Sequence, residues 1–136
     1  MPRLFRESPL NSIWEGSGNV QCLDVLRAMV KSPASVEAFF GEVLEGAGAE
    51  PRLDSYVADL REDIPGDVET FQERARRVVE RMAIALQASL LVRHGDEAVA
   101  DAFCASRLGG DWGNAFGTLP AGIDTRRIIE RHAPRV

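Results

Sequence analysis

"VETFQERARRVVERMAIALQASLLVRH", residues 68–94, decides the fold class. Phe71, Ala75, Val78, Val79, Met82 and Leu86 recur at three- and four-residue intervals, the spacing that lines one face of an α-helix. Beyond Met82 the segment turns apolar nearly all round, which predicts burial between several neighbours. An ideal helix of about 25 residues would be about 37 Å long, so this should be the longest element. Asp67 is placed to cap its start. His94-Gly95 reads as its end, with the imidazole at the negative pole of the helix dipole.

The same period extends outward in both directions. Upstream, "IPGD" (64–67) closes a helix carrying Leu53, Tyr56, Val57, Leu60 and Ile64. "GAGAEP" (46–51) separates it from a stripe of Val36, Phe39, Phe40, Val43, Leu44 and Ala47. Pro33 either stops a preceding helix or opens this one. That preceding helix starts after Asn19, a plausible N-cap, and shows Val20, Leu23, Leu26 and Val30 as its apolar face. Downstream, Asp96 should cap a helix through Ala98, Val99, Ala102 and Phe103. A glycine-rich loop, "RLGGDWGNAFGTLPAG" (107–122), follows, and then a short helix from Asp124 to His132. No strand alternation, internal repeat or low-complexity tract is visible. The expectation is an all-α helical bundle of five or six helices.

Composition bounds what such a bundle does. The 136 residues suit one domain, with 45% hydrophobic and 27% charged content ordinary for a globular chain. "MPRLFRESPLNS" lacks the apolar run of a signal peptide, and no stretch reaches the roughly 20 apolar residues of a membrane span. A cytoplasmic protein with no membrane association is expected. Cys22 and Cys104 stand far apart outside any Cys/His cluster, so no metal site is expected, and each reads as a buried reduced thiol. The net charge of −5 weighs against a dedicated nucleic-acid binder. It is uneven, however: residues 37–69 hold ten acids against two bases, and the remainder carries a net +3.

The chemistry concentrates in "NSIWEGSGNV", residues 11–20. Ile13 and Trp14 can exclude water from one side of Glu15, and desolvation makes a carboxylate a better base. Gly16 and Gly18 permit a sharp turn and close ligand approach. Ser17, Gly18 and Asn19 enter a helix whose first N–H groups lack internal partners, an end that attracts anions. The stretch suits plain capping, an anion cradle or the seat of a catalytic base. Elsewhere, Arg74, Arg77 and Arg81 lie within about 60° of one another on the long helix. They either face phosphates or form a solvated face with local pairs, Glu73 with Arg77 and Arg76 with Glu80. Arg126, Arg127, Arg131 and Arg135 make the last segment basic. Trp112 and Phe116 in the glycine-rich loop either staple it to the bundle or stack on nucleotides, with Arg107 at its entrance.

"LFRESPLNSIWEGSGNVQCLDVLRA" resembles the acyl-CoA dehydrogenase segment Y-R-D-A…Q-I-Y-E-G-T-x-x-I-Q-R-L…A-R. Its wording, and that of "FCASRLGGDWGNAFGTLPAGIDTRRIIER", are similar to the AidB-like, alkylation-response branch of that family. The resemblance implies that residues 1–33 end the family's C-terminal helical domain and that 34–136 form the branch's helical extension. Glu15 falls on the general base that removes the α-proton of an acyl-CoA thioester while a hydride passes to FAD. Trp14 and Gly16 fall at the substrate pocket, and Ser17 and Asn19 at FAD contacts. Arg27 matches an arginine that the branch links to double-stranded DNA, and Arg107 is a second candidate for such contact. The chain is expected to correspond to the C-terminal third of a larger flavoprotein and, alone, to be inactive without bound FAD. Without upstream helices, the helix from Asn19 to Lys31 should cover its apolar face with a second copy, giving a homo-oligomer, or by rearranging.

Overall fold

The computed structural model describes residues 2–13, 17–64, 68–110 and 117–134. Among these there is no strand. The helices are α1 (Pro2–Glu7), α2 (Leu10–Ile13), α3 (Ser17–Lys31), α4 (Ala34–Leu44), α5 (Pro51–Asp63), α6 (Val68–His94), α7 (Glu97–Arg107) and α8 (Thr125–Arg131). The all-helical expectation holds, with more helices than the five or six expected. The two additional ones are α1 and α2, in the N-terminal stretch where sequence periodicity is too short to register. Pro2 supplies a helical φ at the first position of α1, and an Arg3–Glu7 pair at 2.9 Å braces its single turn.

α6 is the axle. It contacts α3, α4, α5 and α7, which is why its second half is apolar on several sides. Phe71, Ala75 and Val78 are buried in its first half, and Ala85, Ala88 and Ser89 in its second. The small residues let neighbouring backbones approach. Ser89 donates its hydroxyl to the Val43 carbonyl at 2.8 Å, which satisfies a fully buried polar group. A Cβ on the buried Gly46 would stand 3.0 Å from Ser89 Oγ and 3.6 Å from Leu53 Cδ2, so glycine is what permits this approach. At the far end, a Cβ on Gly95 would meet the Leu91 carbonyl oxygen at 2.5 Å, so the residue that follows α6 is held to glycine by contact.

Of the expected caps, Asp96 is met, and Asp124, expected as the start of the last helix, caps it. Asp96 accepts from the Ala98 N–H and Asp124 from the Arg127 N–H, each at 3.0 Å. Asp67 lies outside the described residues. α5 begins earlier than its first apolar residue suggested: Glu50 is its N-cap, accepting from the Arg52 N–H at 3.0 Å, and Pro51 occupies the first position. The Glu50 side chain also receives two hydrogen bonds from the Arg52 guanidinium, at 2.7 Å each. Glu50→Ala is therefore expected to destabilise the fold by about 1–2 kcal/mol, measurable by urea denaturation. A loss no larger than that of an exposed surface substitution would refute the assigned role.

Three local expectations are corrected. Asn19 is not an N-cap, because α3 starts two residues earlier at Ser17. Ala47 lies beyond α4, which ends at Leu44; a left-handed Gly48 (φ +80°), whose N–H donates to the Asp54 carboxylate, turns the chain towards α5. The expected apolar face of α3 is only partly the buried one. Leu26 is buried beside Cys22, whereas Val20, Leu23 and Val30 are exposed. Both cysteines are buried and free, as expected. Burial pushes the Cys104 thiol up to about 11, which makes it unreactive near neutrality.

Candidate functional site

The turn that opens α3 is where the motif meets the rest of the fold. Trp14, Glu15 and Gly16 lie outside the described residues. Ser17 begins the helix, and the Asn19 side chain is exposed. α6 runs alongside, and its Arg76 reaches across this turn. Arg76 Nη1 donates to Asn19 Oδ1 at 2.9 Å. The guanidinium lies so close to Gly18 that a Cβ there would stand 3.0 Å from Nη1. A cation beside the positive end of a helix dipole, over a residue with no side chain, makes a surface suited to an anion. Arg76 was read from sequence only as a local partner for Glu80. Its reach to a residue 57 positions away has no signature in the sequence.

Most of the other candidate cations among the described residues are engaged within the protein. Arg74, Arg77 and Arg81 converge on one carboxylate, Asp63 at the end of α5. Arg74 Nη2 stands 2.6 Å from Asp63 Oδ1 and Arg77 Nε 3.7 Å from Oδ2, and Arg81 bonds Oδ2 directly. The alternative of a paired rather than phosphate-facing set is therefore met, but the partner is a residue of α5 and not Glu73. Arg81 also stacks over the Tyr56 ring at 4.8 Å. Arg27 pairs with Asp24 at 2.6 Å on the outer side of α3. Arg107 is the last residue of α7, partly buried, and its Nη1 is enclosed with no hydrogen-bond acceptor. Trp112 and Phe116 lie outside the described residues, as does Arg135. Arg126 pairs with Glu130 at 2.7 Å, and Arg127 bridges back to Asp96 at 3.1 Å and Glu97 at 3.5 Å.

Two of the clefts among the described residues have volumes of about 410 Å³ each. One, between the start of α5 and the α6–α7 junction, is lined by Glu50, Glu97 and Asp101, but Arg52 neutralises Glu50 at 2.7 Å and Asp101 at 2.8 Å. The other is a groove of Val36, Phe40 and Leu44, with Arg61 over the Phe40 ring at 4.8 Å. Neither assembles a nucleophile with a base. Among the described residues no cluster of His, Cys, Asp and Glu is placed to hold a metal ion. No helix among them is long and apolar enough to cross a membrane.

No family model and no solved structure matches the chain. It is 32% identical over 104 residues to the acyl-CoA dehydrogenase-like protein AidB of Escherichia coli (strain K12). The match takes in 76% of this chain but spans only 19% of that relative, within its C-terminal part. The chain is therefore related to AidB, an acyl-CoA dehydrogenase-like protein, through that protein's C-terminal part.

Proposed function

We propose that the chain is the C-terminal helical portion of an acyl-CoA dehydrogenase-like flavoprotein, with Glu15 as the general base that takes the α-proton of an acyl-CoA thioester. The kinship with AidB over 104 residues carries this reading. FAD would supply the acceptor for the hydride that leaves the β-carbon. By the resemblance, Trp14 and Gly16 belong to the substrate pocket, and an indole next in sequence to the carboxylate is a group able to limit water there and make it a better base. Ser17 and Asn19, on the first turn of α3, would hold the cofactor. That turn suits the anionic part of FAD: its leading N–H groups lack partners within the helix, and the Arg76 guanidinium stands over Gly18.

In a complete protein carrying this sequence, Glu15→Gln is expected to lower the dehydrogenation rate by about 10²–10⁴-fold with FAD still bound. An unchanged rate would remove Glu15 from the mechanism. Among the described residues, the resemblance assigns to the cofactor one helix end with Ser17 and Asn19. Titrating it with FAD is expected to give neither stoichiometric fluorescence quenching at micromolar concentration nor yellow protein after gel filtration. Tight binding would mean that these helices hold the flavin unaided.

A further inference from the structure

The way Arg76 reaches the start of α3 constrains what Asn19 can present to a ligand. α3 and α6 share one core, in which Cys22 and Leu26 are buried with Phe71, Ala75 and Val78. Arg76 follows the buried Ala75, so its side chain leaves α6 from an anchored point. The guanidinium crosses Gly18 closely: a Cβ there would stand 3.0 Å from Nη1, 3.3 Å from Nη2 and 3.4 Å from Cζ. A side chain at that position would push it aside. Nη1 donates to Asn19 Oδ1 at 2.9 Å. An arginine carries donors and no acceptor, so it engages the amide through its oxygen, and the Nδ2 donors are left on the other side. The contact also leaves the positive charge uncancelled, because the amide is neutral, whereas Arg74 and Arg81 bond the Asp63 carboxylate. Resting on the reading of Asn19 as an FAD contact, we infer that Arg76 is a positioning residue. It fixes the Asn19 amide so that Nδ2, and not Oδ1, is offered to an acceptor atom of the cofactor's anionic part.

The chemistry of the ligand fits this arrangement. Ionised phosphate oxygens accept hydrogen bonds and donate none, so an amide that turned Oδ1 towards them would repel them, and one that turns Nδ2 towards them binds. A free, exposed asparagine samples both orientations and several rotamers. Ordering such a side chain on binding lowers affinity by about two- to tenfold. With Arg76 on Oδ1 the amide is ordered before the ligand arrives. Asn19 and Arg76 are both exposed, so their hydrogen bond adds little to the stability of the helices themselves. Its effect falls on the ligand and not on the fold.

The test is the dissociation constant of FAD in a complete protein carrying this sequence, read from quenching of flavin fluorescence, with the urea midpoint of each variant measured beside it. Asn19→Ala is expected to weaken FAD by about tenfold or more, the usual loss for a hydrogen bond to a charged group. Arg76→Ala should weaken it by about two- to tenfold with the urea midpoint unchanged. In the double variant Asn19→Ala, Arg76→Ala, the loss should match that of Asn19→Ala alone to within about twofold, because Arg76 then has no amide to orient. Asn19→Asp keeps an acceptor for Arg76 but offers oxygen on both sides, and should weaken FAD at least as much as Asn19→Ala. Three results overturn the positioning role while leaving Asn19 a cofactor contact: Arg76→Ala binding FAD as tightly as the parent, losses that multiply in the double variant, or Asn19→Asp binding like the parent. Unaltered affinity in Asn19→Ala overturns it differently, by removing Asn19 from the cofactor site altogether.

Discussion

Asp63→Asn is expected to destabilise the protein by about 2–3 kcal/mol. Exposed ion pairs are worth up to about 1 kcal/mol, whereas losing one partner of a buried pair costs about 3–5 kcal/mol. The Asp63 side chain, 20% exposed, stands between these limits. It is also the common partner of Arg74, Arg77 and Arg81, so its loss leaves three guanidinium groups facing one another. Arg81 is the least exposed of them and holds α5 through the Tyr56 ring as well. Burial pushes the Asp63 carboxyl up, but hydrogen bonds from Arg74 and Arg81 outweigh this and hold it below the usual carboxylate value. The folded state thus binds the proton less readily than the unfolded chain. The stabilisation is complete above the unfolded value of about 3.9 and is lost as pH falls through the lower folded value. Glu50, lowered chiefly by the hydrogen bond from Arg52, adds to the same acid limb. Urea midpoints measured from pH 7 down to pH 3 should fall less steeply for Asp63→Asn than for the parent. An equally steep acid limb in both would show that the cluster does not contribute.

A second substitution acts through packing alone. Leu60→Ala is expected to cost about 3–4 kcal/mol, within the usual range for truncating a buried leucine. Leu60 is fully buried on α5, in one core with Val43, Leu53, Val57, Val78 and Ala85. That core is built against small residues of α6, so the surrounding helices have little freedom to collapse into the space left. Against a total stability of 5–15 kcal/mol for a typical domain, this is a large share. The urea midpoint should drop with the slope unchanged, because the surface exposed on unfolding is nearly the same. Truncating Val30, exposed on α3, should change the stability of the monomer by less than about 0.5 kcal/mol. A comparable loss at both positions would mean that the buried core is not where the helices are held.

The contrast between Leu60 and Val30 also shows how far the sequence could be read. Both sit in apolar stripes of the right period, and periodicity predicts both as core. It identifies a helical face without telling which of two adjacent faces finds a partner. On α5 the stripe and the buried face coincide. On α3 they differ by about one position in the turn, so Cys22 and Leu26 go inward and Val20, Leu23 and Val30 stay out. The motif around Glu15 was legible as a motif because its members are neighbours in the chain. The guanidinium that crosses the turn beside it was not, because Arg76 and Asn19 are 57 positions apart.

By itself the sequence determined what acts within about four residues. That includes the span of α6 from Val68 to His94, the cap at Asp96, the stop at Gly95, and the all-helical class. These follow from side-chain spacing and from backbone groups that must be satisfied locally. Tertiary structure alone decided which charges meet and which apolar faces close. Asp63 gathers arginines 11 and 18 positions away, and Ser89 finds a carbonyl 46 positions away, only because α4, α5 and α6 pack at particular angles and distances. Such pairings depend on how helices sit against one another, which no local pattern encodes.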